Sequence, residues 1–396
     1  MEDLKKQIKE KFSEIFPNNT APRLFSAPGR TELGGNHTDH QNGRVLAAAV
    51  NLEFLAAAKE NGSDFICIKS GNYRMIRINT NELRYIPREK GTTIALVRGV
   101  CSEINKRGFE VKGFDACIMS KVPRGSGLSS SAAFEVLIGT IVNSLFCNNN
   151  LGPTDIAVIG QAAENKFFGK PCGLMDQMAS AWGGIVSIDF ENKLMPTVKK
   201  LSFDFESSGY SLIIVDVKSD HTDMTGEYAA ITEEMREVSK FFGKSFLRET
   251  DKALFYKNIS KLRKAAGDRA VLRAIHFFDE NARVSLQEKA LEQGNVKKFL
   301  NLVGQSGLSS WLYLQNINAT GSSRNQAMAV ALALCNKILD GSGAARVHGG
   351  GFGGTIQVFV PKDKEDELVK KMEAVFGVGA CTKISVRQYG STELKE

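Results

Sequence analysis

The sequence predicts an α+β protein with two domains, for three reasons. Its 396 residues exceed what one hydrophobic core usually holds, so two domains with a cleft between them are expected. The first half carries short strand-like runs and then a strand, a glycine-rich segment and a helix in succession. The second half alternates long helices with strands, which favours helices packed on a sheet. We place the domains at residues 1–205 and 206–396, with the polar segment 204–209 as the junction.

Residue spacing predicts the elements of the first domain in order. Apolar residues at positions 4, 8, 12 and 15 indicate an amphipathic helix at the start. Thr154 is a candidate N-cap for a helix ending near Phe168, which places Glu164 one turn before a loop at 169–177 that contains Asp176. We expect strands at 24–27, 44–58, 65–69, 75–78, 114–119 and 183–189, and further helices at 93–106 and 129–146.

The second domain shows longer helical patterns. A strand at 211–217 follows the junction, and five helices and three strands come after it. We expect the helices at 226–242, 282–293, 296–302 and 323–339, then strands at 345–348 and 355–360, a helix at 362–376 and a strand at 382–387.

Composition limits the function classes. The net charge of +7 comes from basic residues that are dispersed among acidic ones, which favours an anion-binding cleft over a nucleic-acid surface. The seven cysteines form no Cys-x-x-Cys pair, which favours reduced thiols and a cytoplasmic location. The N-terminus lacks the apolar core of a signal peptide, and no apolar run is long enough to span a bilayer, so we expect no membrane association.

A glycine and serine run at residues 123–132 indicates a phosphate-binding segment. Glycines allow close approach of the backbone, and the free amides and dipole at a helix start attract an anion. The run lacks the ending of a Walker P-loop, so a nucleotide site here belongs to another architecture. The candidate ATP-binding residues are Gly125, Ser126, Gly127, Leu128, Ser129, Ser130 and Ser131.

Two other segments combine with this run into a family pattern. The first is residues 27–40, with Gly-Arg followed by His-Thr-Asp, and the last is the glycine-rich segment 345–354. Glu164, the block 171–177, and His221 with Tyr228 add two further matches. The chain resembles the GHMP sugar and mevalonate kinases, and within them the galactokinases. The resemblance implies an N-terminal domain like ribosomal protein S5 domain 2 and a ferredoxin-like C-terminal domain.

The resemblance also implies ATP as co-substrate, Mg²⁺ as cofactor, and a reaction at the anomeric hydroxyl of galactose. Phosphorylating a hydroxyl requires a group that accepts its proton, and Asp176 is our candidate base, with Arg30 keeping it ionised. Ser131 and Glu164 fall where galactokinases hold their metal, and a hydroxyl and a carboxylate suit a hard cation. A direct in-line transfer needs no covalent enzyme intermediate.

Hydrogen-bonding groups that recognise sugar hydroxyls are expected in the first motif and around it. The resemblance assigns sugar contacts to His37, Asp39, the Gly173 backbone and Tyr228, the last from the second domain. The candidate substrate-binding residues are Asn36, His37, Thr38, Asp39, Gly173 and Tyr228. Residues 349–354 are expected to bring backbone close to the phosphate segment or to Asp176.

The chain departs from the galactokinase pattern near the sugar motif. Most galactokinases carry glutamate at the position of Asn36, where it is expected to bind the 6-hydroxyl. They also carry tyrosine at His40, threonine at His348, leucine at Arg124 and histidine at Gly307. An amide in place of a carboxylate removes a charge that repels an anionic carbon 6, so a galacturonate kinase is an alternative to a galactose kinase.

Three other classes are alternatives of less weight. A galactose sensor without turnover is disfavoured because the serine run, Arg30 and Asp176 are intact. A mevalonate-pathway kinase is disfavoured because His37-Thr38-Asp39 has no role with an apolar substrate. A nucleic-acid module is suggested only by charge and topology. We expect a monomer or weak dimer whose partners are a sugar and ATP.

Overall fold

The structure is a computed structural model that describes residues 2–122, 127–192, 195–219 and 224–395. Two sheets and many helices within these residues confirm the predicted α+β class. The strands are β1 (Arg23–Gly34), β2 (Arg44–Glu60), β3 (Phe65–Ser70), β4 (Ile76–Asn79), β5 (Phe114–Ser120), β6 (Ile185–Asp189), β7 (Thr197–Leu201), β8 (Tyr210–Asp216), β9 (Ala344–His348), β10 (Thr355–Pro361), β11 (Cys381–Ile384) and β12 (Thr392–Leu394). The α-helices are α1 (Glu2–Ile15), α2 (Thr93–Asn105), α3 (Ser130–Phe146), α4 (Pro153–Ala163), α5 (Met175–Trp182), α6 (Thr225–Phe241), α7 (Lys252–Lys257), α8 (Ile259–Ala266), α9 (Asp268–Glu292), α10 (Val296–Ser309), α11 (Ala327–Leu339) and α12 (Glu365–Phe376).

The larger sheet is organised around β2. Its strand order is β12-β1-β2-β5-β3-β4, and β6 pairs with β2 and carries β7 on its other side. The first half of β2 pairs with β6 up to Ala48, and the second half pairs with β5 from Phe54 onwards. The chain after β11 enters the opening between these partners, where the Arg387 amide donates to Ala49 O at 2.9 Å. The C-terminal segment is therefore part of the larger sheet.

The smaller sheet has the order β11-β8-β10-β9, and its pairings are antiparallel. Alternating residues of β8 face two different cores, since the side chains of a strand point to opposite faces. Ile213 and Val215 pack with residues of α11 and α12, whereas Leu212 and Ile214 belong to the core shared with the larger sheet. The chain crosses between the sheets within residues 202–209, and the division into two domains at this point stays a prediction.

The helices enclose the region between the two sheets. Helices α3 and α5 pack on β1, and α9 packs on β1, β2, α6 and α10. Strand β1 is buried along nearly its whole length for this reason. Among the residues described, no helix is both long and apolar enough to cross a membrane.

Several sequence-based boundaries are corrected by side-chain contacts. The N-cap of α4 is Gly152 and not Thr154. The Asp155 carboxylate accepts a hydrogen bond from the Gly152 amide at 3.0 Å, which fixes the start of the helix there. The Thr154 hydroxyl instead accepts a hydrogen bond from the Trp182 indole at 3.1 Å. The helix predicted to reach Phe168 does so in two parts: the α-helix ends at Ala163, and a π-turn over Glu164–Phe168 continues it. The short elements α7, α8, β7 and β12 were not predicted, because their patterns are too brief to stand out.

We predict that Phe359→Ala strongly destabilises the fold. Phe359 is fully buried on β10, and its ring lies 5.3 Å from that of Phe205 and 5.6 Å from that of Phe299. Removing the ring leaves a cavity, so the free energy of unfolding should fall by about 3–5 kcal/mol. Denaturant unfolding followed by circular dichroism measures the change. Val378→Ala, at a residue that is 95% exposed, is the control, and an equally small effect in both variants would contradict the prediction.

Candidate active site

An ion pair between a buried arginine and a partly exposed aspartate joins two of the predicted catalytic residues. Arg30 lies on β1, just after a register shift at Pro28, and Asp176 lies in the first turn of α5. Arg30 Nε is 2.6 Å from Asp176 Oδ1, and Arg30 Nη2 is 2.9 Å from Oδ2. Arg30 is only 5% exposed. The two-point geometry fixes the direction of both groups.

Asp176 is held as a carboxylate. Burial tends to raise its pKa, but the Arg30 charge and hydrogen bonds from Arg30 and Ser129 outweigh burial, so the pKa lies below its ordinary value. The Ser129 hydroxyl donates to Asp176 Oδ2. An ionised carboxylate near neutral pH can accept a proton from a hydroxyl as that hydroxyl attacks phosphorus.

The expected position of Asp176 in a loop is wrong. The loop after the π-turn is shorter than predicted, and α5 begins at Met175. The backbone of helix α5 fixes Asp176 more firmly than a loop does. Near the start of a helix the dipole also favours a negative side chain.

The phosphate segment is described from Gly127 onwards, and the predicted residues Gly125 and Ser126 lie outside the described residues, as do Arg124 and His221. Gly127 O accepts a hydrogen bond from Arg30 Nη1, and Leu128 O accepts one from the Arg30 amide at 3.2 Å. Ser129 has a φ of 55°, a left-handed conformation that is unusual for serine and is typical of functional sites. Ser130 begins α3. The serines therefore lie between the ion pair and the start of a helix.

Ser131 and Glu164 lie next to each other, as the sequence predicted. Ser131 Oγ donates to Glu164 Oε1 at 3.2 Å, and Glu164 is 3% exposed. Lys170 Nζ is 3.5 Å from the same Glu164 oxygen. Gln177 Nε2 donates to Glu164 Oε2 at 3.1 Å and to Glu135 Oε2 at 3.0 Å. Burial and the neighbouring Glu164 charge raise the pKa of Glu135 well above its ordinary value.

This pair of oxygens fits Mg²⁺. A hydroxyl and a carboxylate are hard donors, and Mg²⁺ usually combines one or two such groups with water and substrate phosphates. In the described part of the chain, no three or more His, Cys, Asp or Glu side chains converge as a complete metal cage. Ser131 and Glu164 would therefore hold a metal together with a bound triphosphate.

The sugar-motif residues differ in their surroundings: Asp39 and His37 contact other loops, whereas Thr38 is buried within its own turn. A Cβ atom at Gly173 would overlap the Asp39 carboxylate, so this glycine allows the loop to approach Asp39 closely. His37 Nε2 is 2.9 Å from Gly350 O. A carbonyl only accepts, so Nε2 carries the proton and Nδ1 is left as an acceptor. Thr38 is fully buried, and its hydroxyl bonds the carbonyls of Gly35 and Arg44. Thr38 thus shapes the turn.

Asn36 is fully buried and its amide is engaged by protein groups. Asn36 Nδ2 donates to Gly349 O at 2.8 Å and to Glu32 Oε1 at 3.1 Å. Asn36 Oδ1 accepts from Ser310 Oγ at 3.1 Å and from Asn316 Nδ2 at 2.9 Å. The structure therefore does not bring the Asn36 side chain to an open face beside Asp39.

The third motif contacts the sugar motif through its carbonyls. Gly349 O bonds Asn36, Gly350 O bonds His37, and Gly351 O accepts from the Tyr228 hydroxyl at 3.1 Å. Residues 349–354 were expected to bring backbone close to the phosphate segment. The contact that the structure shows is made by the side chain of His348 in the same motif, since a Cβ atom at Gly127 would lie 2.8 Å from His348 Nδ1. The motif therefore connects the sugar and phosphate regions.

Two departures from the family pattern have local explanations. A Cβ atom at Gly307 on α10 would lie 2.9 Å from Ala345 O and 3.1 Å from Arg346 Cβ, so a larger residue requires the helix to move away from β9. His348 Nε2 lies 3.0 Å from Thr31 Oγ1, and its Nδ1 lies 3.2 Å from Thr355 Oγ1. Both departures lie at the seam, the region where the larger and the smaller sheet pack together.

Some functional neighbours were not identified from the sequence. Glu135 lies four residues after Ser131 on α3, and this helical spacing places the two on one face. Arg346 pairs with Glu32, and both are buried. Arg346 lies inside the third motif, and this position could have identified it from the sequence. Lys170 was within the predicted loop but was assigned no role.

Comparison with known proteins agrees with this architecture. The family model described as "GHMP kinases N terminal domain" matches residues 95–184. The model described as "Galactokinase galactose-binding signature" matches residues 10–60. A mevalonate kinase of Methanococcus jannaschii superposes with a TM-score of 0.64 at 19% identity, over 92% of this chain and 98% of that one. The fold and the three motifs thus define a kinase of the GHMP class.

More specific likenesses narrow the class. Galactokinase from Mannheimia succiniciproducens is 33% identical over 93% of this chain and 92% of its own length. Galactokinase from Actinobacillus pleuropneumoniae is 34% identical over 91% of this chain and 90% of its own. A structure of Lactococcus lactis galactokinase complexed with galactose has a TM-score of 0.86 at 25% identity, covering 99% and 100% of the two chains. The chain belongs to the galactokinase family.

We predict that stability falls on mild acidification. Burial lowers the pKa of His37 to about 4, lowers that of His276, and lowers that of His348 well below its ordinary value. The unfolded chain takes up protons near about pH 6.5 and the folded chain does not, so the free energy of unfolding falls below that pH by up to about 1.4 kcal/mol per pH unit for each histidine.

Denaturant unfolding between about pH 7 and about pH 5 measures this slope, above the range where ordinary carboxylates titrate. His37→Gln keeps a donor for Gly350 O and removes one titrating group, so its slope should be shallower. An unchanged slope in this variant would show that His37 does not contribute.

Proposed function

We propose that the protein transfers the γ-phosphoryl group of ATP to the anomeric hydroxyl of D-galactose, giving α-D-galactose 1-phosphate. The arrangement that supports this most directly is the Arg30–Asp176 ion pair. It lies between the serine segment and the loop in which Gly173 contacts Asp39. This position supports Asp176 as the base, because the candidate phosphate-binding and sugar-binding residues meet there. The galactokinase relatives supply the identity of the sugar.

The transfer step involves the sugar and the nucleotide directly. The anomeric oxygen forms a bond to the γ-phosphorus while the bond from that phosphorus to the β–γ bridging oxygen breaks, and ADP leaves with the electron pair. The hydroxyl proton passes to the Asp176 carboxylate as the new bond forms. Arg30 keeps this carboxylate ionised and aimed, and Ser129 holds the same Oδ2 oxygen.

Ser131 and Glu164 are the residues that would hold Mg²⁺. A bound Mg²⁺ neutralises phosphate charge during such a transfer. Gln177 orients Glu164 by donating to its second oxygen. This leaves Glu164 Oε1, the oxygen on the Ser131 side, for a cation.

Sugar recognition is assigned to His37, Asp39 and Tyr228. The tautomer of His37 leaves Nδ1 to accept from a sugar hydroxyl. The Asp39 carboxylate accepts a hydrogen bond from the His40 amide at Oδ1, at 2.8 Å, and a carboxylate can accept from vicinal sugar hydroxyls. Tyr228 presents an aromatic ring and a hydroxyl against the third motif.

Galacturonate is less well supported than galactose. The carboxylate absent at Asn36 has a counterpart in Glu32, which is buried and hydrogen-bonded to the Asn36 amide. The region is therefore not depleted of negative charge. Arg346 pairs with Glu32 through its Nη2 nitrogen. The galactokinase relatives, one of them complexed with galactose, favour galactose over a uronate.

We also propose the cytoplasm as the compartment. All seven cysteines are free thiols, including the fully buried Cys101 and Cys335. Unpaired thiols are typical of a reducing environment. Cell fractionation with an antibody to the protein tests this location.

The first test is ATP consumption with Mg²⁺ and a panel of galactose, galacturonate, N-acetylgalactosamine, glucose and arabinose. We expect turnover of galactose, and a loss of kcat of about 10²–10⁴-fold in Asp176→Asn because the amide cannot accept the proton. Circular dichroism must show that the variant is folded, since it leaves Arg30 without its anion. Turnover of galacturonate alone would relocate the substrate, and activity on no sugar would contradict the proposal.

We further predict that Gly173→Ala selectively weakens sugar binding. The added methyl displaces the Asp39 carboxylate. The KM for galactose should therefore rise by about tenfold or more, because buried polar contacts to the sugar are lost, while the KM for ATP stays near that of the wild type. Gly226→Ala is the matched control, since no atom of the described residues lies within 4 Å of its Cβ position. Equal sugar KM values in the two variants would argue against the proposed role of Asp39.

A further inference from the structure

Lys170 lies at the opening of the cluster formed by Ser131, Glu164 and Asp176. We propose that its ammonium group binds the γ-phosphoryl group of ATP during transfer, as a catalytic residue of this chain. The inference rests on the proposed function, because it takes ATP to be the ligand of this cluster. Four features of the described residues support it.

The backbone fixes Lys170 beside the candidate metal ligand. The amides of Gly169 and Lys170 both donate to Glu164 O, at 2.9 and 3.2 Å. These bonds close the π-turn and return the chain to the residue from which the turn began. The Lys170 side chain then reaches Glu164 Oε1, with Nζ at 3.5 Å.

Lys170 differs from Arg30 in how far its charged side chain is exposed to solvent. The side chain of Glu164 is 4% exposed and that of Arg30 is 6% exposed, whereas that of Lys170 is 60% exposed. Arg30 is bound at two points to Asp176 and also donates to Gly127 O. Lys170 therefore carries the positive charge of this cluster that a ligand can reach.

The Lys170 charge also acts on two of the proposed reacting groups. Burial tends to raise the pKa of Asp176, and Lys170 adds to Arg30 and Ser129 in lowering it. Burial raises the pKa of Tyr228, and Lys170 opposes that rise. Asp176 is the proposed base and Tyr228 a proposed sugar contact, so an ammonium group whose charge acts on both can also act on a phosphoryl group that reacts beside them.

In this proposal Lys170 pairs with Glu164 when the site is empty and with the γ-phosphoryl group when ATP is bound, and the charges explain the change. Without nucleotide, the ammonium neutralises the buried Glu164 carboxylate. With a metal held by Glu164 and Ser131, that carboxylate would no longer need the ammonium, and Lys170 would be free to pair with the oxygens of the transferring group. Their negative charge is spread during transfer, and a compact ammonium suits it. Lys170 changes neither its bonds nor its proton in the step.

The test compares Lys170→Met with Lys166→Met. Lys166 is a matched control because it lies in the same turn, its side chain is 63% exposed, and its Nζ is also 3.5 Å from a glutamate, Glu103. Calorimetry measures the binding of ADP and of a non-hydrolysable ATP analogue, each with Mg²⁺. Steady-state kinetics with galactose gives kcat.

In Lys170→Met, we expect the ATP analogue to bind about tenfold more weakly and kcat to fall by about 10–100-fold, with ADP binding within about twofold of the wild type. Lys170→Arg should restore part of the loss, and Lys166→Met should match the wild type. Analogue binding unchanged in Lys170→Met would overturn the inference. Equal losses for ADP and analogue would also overturn it, because they indicate a role at Glu164 rather than at the γ-phosphate.

These outcomes are separable from failure of the proposed function. If the wild type turns over none of the sugars, the function fails, yet the difference between analogue and ADP binding still reports on Lys170. If the wild type is active and that difference is absent in the variants, the role of Lys170 fails alone.

Discussion

The arrangement of the site depends on the burial of the Arg30 guanidinium. A buried charge is tolerated only with close partners, and removing one of them is costly. Asp176 supplies two oxygens and Gly127 supplies a carbonyl. Strand β1, helix α5 and the phosphate segment are thereby held at one point. Asp176, the proposed base, is positioned because the fold must neutralise this arginine.

A second buried network holds the sugar motif at the seam of the two sheets. Glu32 on β1 pairs with Arg346 on β9 and accepts from Asn36. Asn36 in turn contacts Gly349 and Asn316. Buried polar groups bonded in this way fix one arrangement, since any displacement leaves several groups unsatisfied. The departures from the family pattern at Asn36, Gly307 and His348 all lie along this seam. They line the contact between the two sheets, whereas Arg30 and Asp176 match the family pattern.

The proposed functions of the residues follow this division. Groups whose hydrogen bonds are taken up by protein, such as Asn36 and Thr38, shape the site. Groups that keep an acceptor or a charge toward the opening, such as His37, Asp39 and Lys170, are those assigned to ligands. Glu164 belongs to both sets, because Gln177 holds one oxygen while Ser131 and Lys170 approach the other.

The sequence alone determined the α+β class, most long strands and helices, and the motif residues, because periodicity and glycine-serine runs are local signals. It also predicted roles for Arg30, Asp176, Ser131 and Glu164, through a motif pattern spread along the chain. Only the tertiary structure decided that Asp176 starts a helix, that Asn36 is enclosed, and that Lys170 meets Glu164. The enclosure of Asn36 depends on contacts between segments far apart in sequence, such as that with Asn316, and the Lys170–Glu164 contact depends on the π-turn at 164–168. Local spacing carries no information about either.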